Sequence, residues 1–202
     1  MTAKKAGQFA ALAYCEAPDI MVRLRQEQGI APRCLAFAIS TPSQTGEVLG
    51  ARWEEFDTDA GTWSLQSERM KTGEPHVVYL SPAARHLLAG QQQLGTEFVF
   101  PSPMLERQPS SNMGMLNVRS RMKLRDRTMG HGLCRATFST LGHDTGAARP
   151  PVIRACLAHK EANNLAAAYN RARFIDRRRA LMNASSAFLA QPVSNVVPLR
   201  AA

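Results

Sequence analysis

Between Ala17 and Gln28 the apolar side chains Ile20, Met21 and Leu24 recur at the spacing that lines one face of a helix. Pro32 opens a second apolar segment, Cys34 to Ile39, and both stretches predict core helices. Thr45-Gly46-Glu47 reads as a helix start, with Thr45 as N-cap and Glu47 in the first turn, leading into Val48 to Trp53, so Gln44 stands at a helix entrance. From Trp53 to Leu80 the pattern changes. Trp63-Ser64-Leu65 and His76 to Leu80 cluster β-formers between the turn signals Asp59-Ala60-Gly61 and Lys71-Thr72-Gly73, which predicts a small antiparallel sheet with Lys71 on its connecting turn. Ser81-Pro82 starts a helix expected to run to about Leu94, and Phe98-Val99-Phe100 leads into a loop rich in Pro and Ser. Ser110 to Asn112 caps a helix from Met113 to about Arg125; Arg135 to Leu141 and Pro151 to Leu157 predict two shorter ones, and Leu165 to Leu189 one or two more. No helical period continues past Gln191. The expectation is one mainly helical α+β domain over residues 1–190 with a small antiparallel sheet, and a flexible or docking tail over 191–202.

Composition adds a partner class. The chain has 202 residues and 45% hydrophobic content, enough for one packed core, and its net charge of +9 favours a polyanion such as nucleic acid. A basic but inert surface explains the total charge equally well, so the placement of the charges matters. Arg119, Arg121, Lys123, Arg125 and Arg127 form one cluster, and Arg171, Arg173, Arg177, Arg178 and Arg179 another. Alternate spacing wraps the first cluster around a helix, so only part of each is expected to touch DNA, with Arg119, Arg121, Lys123, Arg171 and Arg173 as the candidate contacts. Aromatic residues do not interleave with the charges, which argues for duplex backbone contact over single-strand stacking. Cys15, Cys34, Cys134 and Cys156 lack metal or redox spacing and read as buried thiols in a reducing cytoplasm. Lys4 and Lys5 before Ala6 to Tyr14 faintly imitate a signal peptide, but Gln8 interrupts the apolar run, and no stretch approaches the roughly eighteen apolar residues of a membrane span.

Five groups stand out as candidate chemistry: Lys71 in Arg69-Met70-Lys71-Thr72-Gly73, His131 and Arg135 in His131-Gly132-Leu133-Cys134-Arg135, His159 in Leu157-Ala158-His159-Lys160, and Tyr169. Taken singly each has a plainer role: a solvated turn lysine, a loop-end or helix-end histidine, a tyrosine on an amphipathic helix. Their order and flanking residues, together with Thr45-Gly46-Glu47-Val48, Ala51-Arg52-Trp53, Met70-Lys71-Thr72 and Phe98 to Ser102, resemble the catalytic domain of tyrosine recombinases. The likeness is greatest to P4-like bacteriophage integrases and spans about Ala10 to about Ala187.

The resemblance implies a tyrosine-recombinase catalytic fold and DNA strand exchange in integration or excision of a mobile element. Tyr169 would attack the phosphorus to form a 3′-phosphotyrosyl bond, Lys71 would protonate the leaving 5′-oxygen, and His131, Arg135 and His159 would bind the phosphate or move protons. It implies no metal or other cofactor, double-stranded DNA as partner and self-association on it. The chain begins where the catalytic domain would, so core-binding and arm-binding domains are expected to be absent.

Two positions depart from the family's pattern. Gln44 occupies the place of the first catalytic arginine, so a neutral donor replaces a cation and Glu47, its usual support, loses that partner. Arg52 or Arg33 could make up the charge, although helical spacing gives no specific reason for either. His131 and Arg135 are separated by three residues where the family's His-x-x-Arg has two; the extra residue is expected in a loop, with Gly132 absorbing it. A noncatalytic DNA-binding remnant, or a basic helical scaffold that binds protein, are the competing functions.

Overall fold

The computed structural model describes residues 12–92, 96–105, 107–130, 132–159 and 174–191. Helix α2 (Ile30–Ser40) is its centre, because Cys34, Leu35, Ala36, Phe37, Ala38 and Ile39 leave no polar face and every one of them is buried. Around it pack α1 (Ala17–Gln26), α3 (Thr45–Leu49), α4 (Pro82–Ala89), α5 (Asn112–Arg121) and α8 (Ile175–Leu189). Between α5 and α8 in the chain come α6 (Thr137–Asp144) and α7 (Pro150–Cys156), both against α8.

The sheet has three antiparallel strands, β1 (Phe56–Asp57), β2 (Thr62–Leu65) and β3 (His76–Tyr79), in the order β1-β2-β3. Phe56 pairs with Trp63, and Trp63 with Val78. Alternation along β2 buries Trp63 and Leu65 and exposes Ser64, so one face lies on the core. There the Trp63 ring stacks on Phe56 at 5.3 Å and meets Phe37 of α2 at 5.6 Å, fixing the sheet to the central helix. The mainly helical α+β expectation therefore holds, and the hairpin between β2 and β3 carries Lys71 as predicted.

Several boundaries differ, each for a local reason. Gln44, not Thr45, caps α3: the Glu47 carboxylate accepts the Gln44 amide hydrogen at 2.7 Å, reaching back as an acidic third residue does in a capping box. Helix α4 stops at Ala89, ahead of Gly90, instead of near Leu94. Helix α5 stops at Arg121 because Lys123 turns left-handed (φ 58°), the Leu124 amide donates to the Arg119 carbonyl at 2.9 Å, and Leu124 is buried. That is a Schellman closure without the usual glycine, so nothing in the composition marks it.

Candidate active site

An open cleft of about 650 Å³ is lined by Gln44, Lys71, Thr72, Arg135, Arg154, Ala158 and His159. Four of the sequence-predicted positions, Gln44, Lys71, Arg135 and His159, meet there although they come from distant parts of the chain. His131 and Tyr169 lie outside the described residues, as do Arg171 and Arg173.

Arg135 ties the walls together. It sits in a π-helical turn, Gly132–Ala136, that runs into α6, and its guanidinium donates to the carbonyls of Pro42, at 3.1 Å, and Leu157. One side chain thus joins the segment before Gln44 to the segment before His159. Gly132 and the residues up to Arg135 lie in this π turn and not in a loop as expected, and an i→i+5 ring takes one residue more than an α turn. Burial makes the Arg135 guanidinium easier to deprotonate than a free one, and the nearby Glu47 charge opposes that shift; arginine remains a cation at neutral pH.

Glu47 is buried behind this wall. One of its oxygens holds the Gln44 amide, while Oε1 has no hydrogen-bond partner among the described residues, and neither has Nε of Arg135. Among the described residues, the buried Glu47 carboxylate beside the neutral side chain of position 44 is thus only partly satisfied. Glu47 also has a partner that sequence reading missed. Arg69 donates to the Glu47 backbone carbonyl at 2.7 Å and forms an ion pair with Glu55, whose carboxylate also accepts Trp63 Nε1 at 3.0 Å. Those bonds dock the Lys71 turn onto α3. Buried Met70 anchors it, and Gly73 completes it at φ 70° with its amide on the Met70 carbonyl at 3.0 Å. Lys71 itself is exposed.

His159 is presented by the end of α7. Ala158 adopts φ 49°, and the amides of His159 and Leu157 donate to the Arg154 carbonyl at 3.0 and 3.1 Å. This is the same glycine-free helix closure as at α5, and it turns His159 toward the cleft. Arg154, one turn earlier, lines the cleft as well.

The basic clusters divide between interior and surface. Arg119 is buried with its guanidinium on the Thr128 carbonyl, so it belongs to the fold and not to the exposed charge expected of it. Arg178 is likewise buried, donating to the Val77 carbonyl and lying over the Tyr79 ring. Arg121 and Arg127 are exposed but paired with Glu27 and Glu16, while Lys123 and Arg125 are exposed. Neither Arg52 nor Arg33 lines the cleft: Arg52 pairs with Glu97 over the Phe98 ring, and Arg33 borders a separate groove of about 750 Å³ beside α1 and α4. No group of three or more His, Cys, Asp or Glu able to hold a metal occurs among the described residues, and no helix among them is long and apolar enough to cross a membrane.

The chain is 34% identical over 169 residues to prophage integrase IntA of Escherichia coli K12, a match covering 82% of this chain and 40% of that protein. It is 31% identical to prophage integrase IntZ of the same organism (90% and 45% covered) and 28% identical to the integrase of Enterobacteria phage P4 (90% and 46%). The chain belongs to the tyrosine recombinase family. Solved tyrosine recombinases share its fold. A lambda integrase dimer bound to a COC' core site superposes with a TM-score of 0.60 at 18% identity, covering 85% of this chain and 52% of that one. XerA recombinase does so with a TM-score of 0.59 at 11% identity, covering 88% and 67%. No family model matches the chain. The chain spans less than half the length of the curated relatives it matches.

Proposed function

We propose that the chain cleaves and rejoins duplex DNA at a specific site, in the integration or excision of a mobile element. The observation that carries this reading is the cleft in which Lys71, Arg135 and His159 converge, with no carboxylate among the described lining residues. A phosphodiester is already anionic and attack by a phenolate adds charge, so cations held in place beforehand stabilise the transition state more than the ground state. Tyr169 is the nucleophile: its oxygen bonds to phosphorus, the bond from phosphorus to the 5′-oxygen breaks, and Lys71 gives that oxygen its proton. His131 and His159 bind the phosphate or move protons, including the one the phenol releases, and Arg135 holds a nonbridging oxygen. The phosphotyrosyl bond conserves the linkage for rejoining, and the sequence needs no cofactor. That a similar integrase has been solved as a dimer on a core site, and as a tetramer on a Holliday junction, supports duplex DNA as partner and self-association upon it.

A specific observation favours a second reading, a DNA-binding relative without turnover. Gln44 brings no charge to the cleft, and Glu47 Oε1 is left without a partner among the described residues. Removing one donor to a developing oxyanion costs about 10² to 10³ in rate. A pool of nicked duplexes with randomised cores separates the two readings, because cleavage opposite the nick traps the covalent adduct. The cleavage reading expects an adduct with the native chain and none with Tyr169→Phe. Absence of adduct from both the native chain and Gln44→Arg, with duplex still retained, establishes the second reading instead.

A further inference from the structure

Helix α7 ends against two side chains from distant parts of the chain. Of its last four carbonyls, those of Ile153, Arg154 and Ala155 receive amides from Leu157, Ala158 and His159, while no amide of a described residue donates to that of Cys156. The His76 ring donates to the Cys156 carbonyl instead, and the Arg135 guanidinium to the next one, of Leu157. Resting on the cleavage reading, we propose that His76 is a positioning residue: by holding β3 against the end of α7 it fixes the Lys71 turn relative to Arg135 and His159.

The lysine turn has two limbs, and each is fastened to a different wall of the cleft. Before Lys71, Arg69 bonds the Glu47 carbonyl at 2.7 Å and pairs with Glu55, which ties that limb to α3 beside Gln44. After Lys71, His76 pairs with Leu65 in the sheet and bonds α7, which ties the other limb to the helix end that presents His159. Buried Arg178 of α8 donates to the neighbouring Val77 carbonyl, so the strand behind His76 is itself held to the core. A histidine suits the place. Burial and the charges of Arg178 and Arg135 push its pKa down to about 4, so at neutral pH the ring supplies an N–H without adding a cation beside two guanidinium groups. The plainer role is a hydrogen bond that satisfies a helix-end carbonyl and contributes to stability alone.

The two roles separate on the leaving group. The site recovered from trapped adducts supplies a defined nicked duplex, made with either oxygen or sulfur at the scissile 5′ position. With oxygen, the Tyr169 phenol oxygen bonds to phosphorus and the departing 5′-oxygen takes a proton from Lys71. With sulfur, the bond from phosphorus to sulfur breaks and the thiolate departs without one. Single-turnover adduct formation at saturating duplex is measured for the native chain, His76→Leu, His76→Asn and His76→Gln. A misplaced general acid costs about 10²-fold, so His76→Leu should slow the oxygen substrate by about that factor while duplex retention changes by less than about threefold. On the sulfur substrate the loss should shrink to less than about fivefold, because Arg135 still holds the Leu157 carbonyl and only the lysine side is released. At least one of His76→Asn and His76→Gln, which keep a neutral N–H donor, should return the oxygen rate to within about tenfold of native. The ratio of sulfur to oxygen rates on one preparation cancels the folded fraction, so a destabilised variant still decides the matter.

The proposal fails if His76→Leu stays within about threefold of the native rate on oxygen. It fails equally if the loss is the same on sulfur, which is the signature of a structural role. The series is run in the native chain or, should that be inert, in Gln44→Arg. If neither forms adduct the cleavage reading falls and this inference with it, whereas adduct with no selective rescue by sulfur overturns the inference alone.

Discussion

At the scale of single residues, the notable groups are charged side chains withdrawn from water. Arg119, Arg135 and Arg178 are all buried, and each donates to backbone carbonyls: of Thr128, of Pro42 and Leu157, and of Val77. Their charge is used to hold segments together as much as to attract an anion. His76 shows the consequence for pH. It lies at the start of β3, paired with Leu65, and burial together with the charges of Arg178 and Arg135 pushes its pKa down from 6.5 to about 4, against a hydrogen bond to the Cys156 backbone. The folded protein thus holds His76 neutral while the unfolded chain protonates it. Its contribution to stability is complete above about pH 6.5 and is lost as pH falls toward about 4, by at most about 3 kcal/mol. Urea midpoints measured at about pH 7 and pH 4.5 should differ less in His76→Gln than in the native chain; equal differences would refute the assignment.

At the scale of elements, the Lys71 turn depends on Arg69. Its guanidinium spans the Glu55 carboxylate and the Glu47 carbonyl, and lies so close to Gly50 that an added Cβ there would approach Nη2 to 2.9 Å. Arg69→Met leaves the Glu55 carboxylate, 8% exposed, without its cation, although the Trp63 indole and the Arg52 amide still donate to it. A loss of about 2 kcal/mol is expected in urea unfolding, below the range for fully buried pairs because Arg69 is partly solvated. Adduct formation should fall further than stability accounts for, since the lysine turn is no longer docked. A variant of native stability would show that the ion pair is unimportant. The helix ends teach a related lesson. Lys123 and Ala158 close α5 and α7 in left-handed conformations where glycine is the usual signal, so the end of α5 was not legible in the sequence, while the proline at the start of α7 was.

At the scale of the whole molecule, a net charge of +9 is distributed among buried brackets, surface ion pairs and a cleft whose described lining includes Lys71, Arg135 and Arg154. Duplex binding that rests on phosphate contacts releases counterions, so retention on a mixed-sequence duplex is expected to fall by about 10³-fold or more between roughly 50 and 200 mM salt. Filter binding over that range tests it, and a flat response would favour the protein-binding scaffold. Arg119→Met should leave the salt slope unchanged, because the Arg119 guanidinium faces the Thr128 carbonyl inside the fold.

Local chemistry was enough to read the helical core, the hairpin bearing Lys71, the capping role of Ser81, and the ordered polar residues on which the family likeness rests. Those features depend on neighbours a few residues apart, and periodicity and turn chemistry encode them directly. Convergence of Gln44, Lys71, Arg135 and His159 on one cleft, the interior placement of Arg119 and Arg178, the π turn under Arg135 and the presence of Arg154 at the site were decided by tertiary structure alone. Each depends on contacts between segments tens of residues apart, and a side chain's facing toward water or core there is set by what packs against it, which no local pattern records.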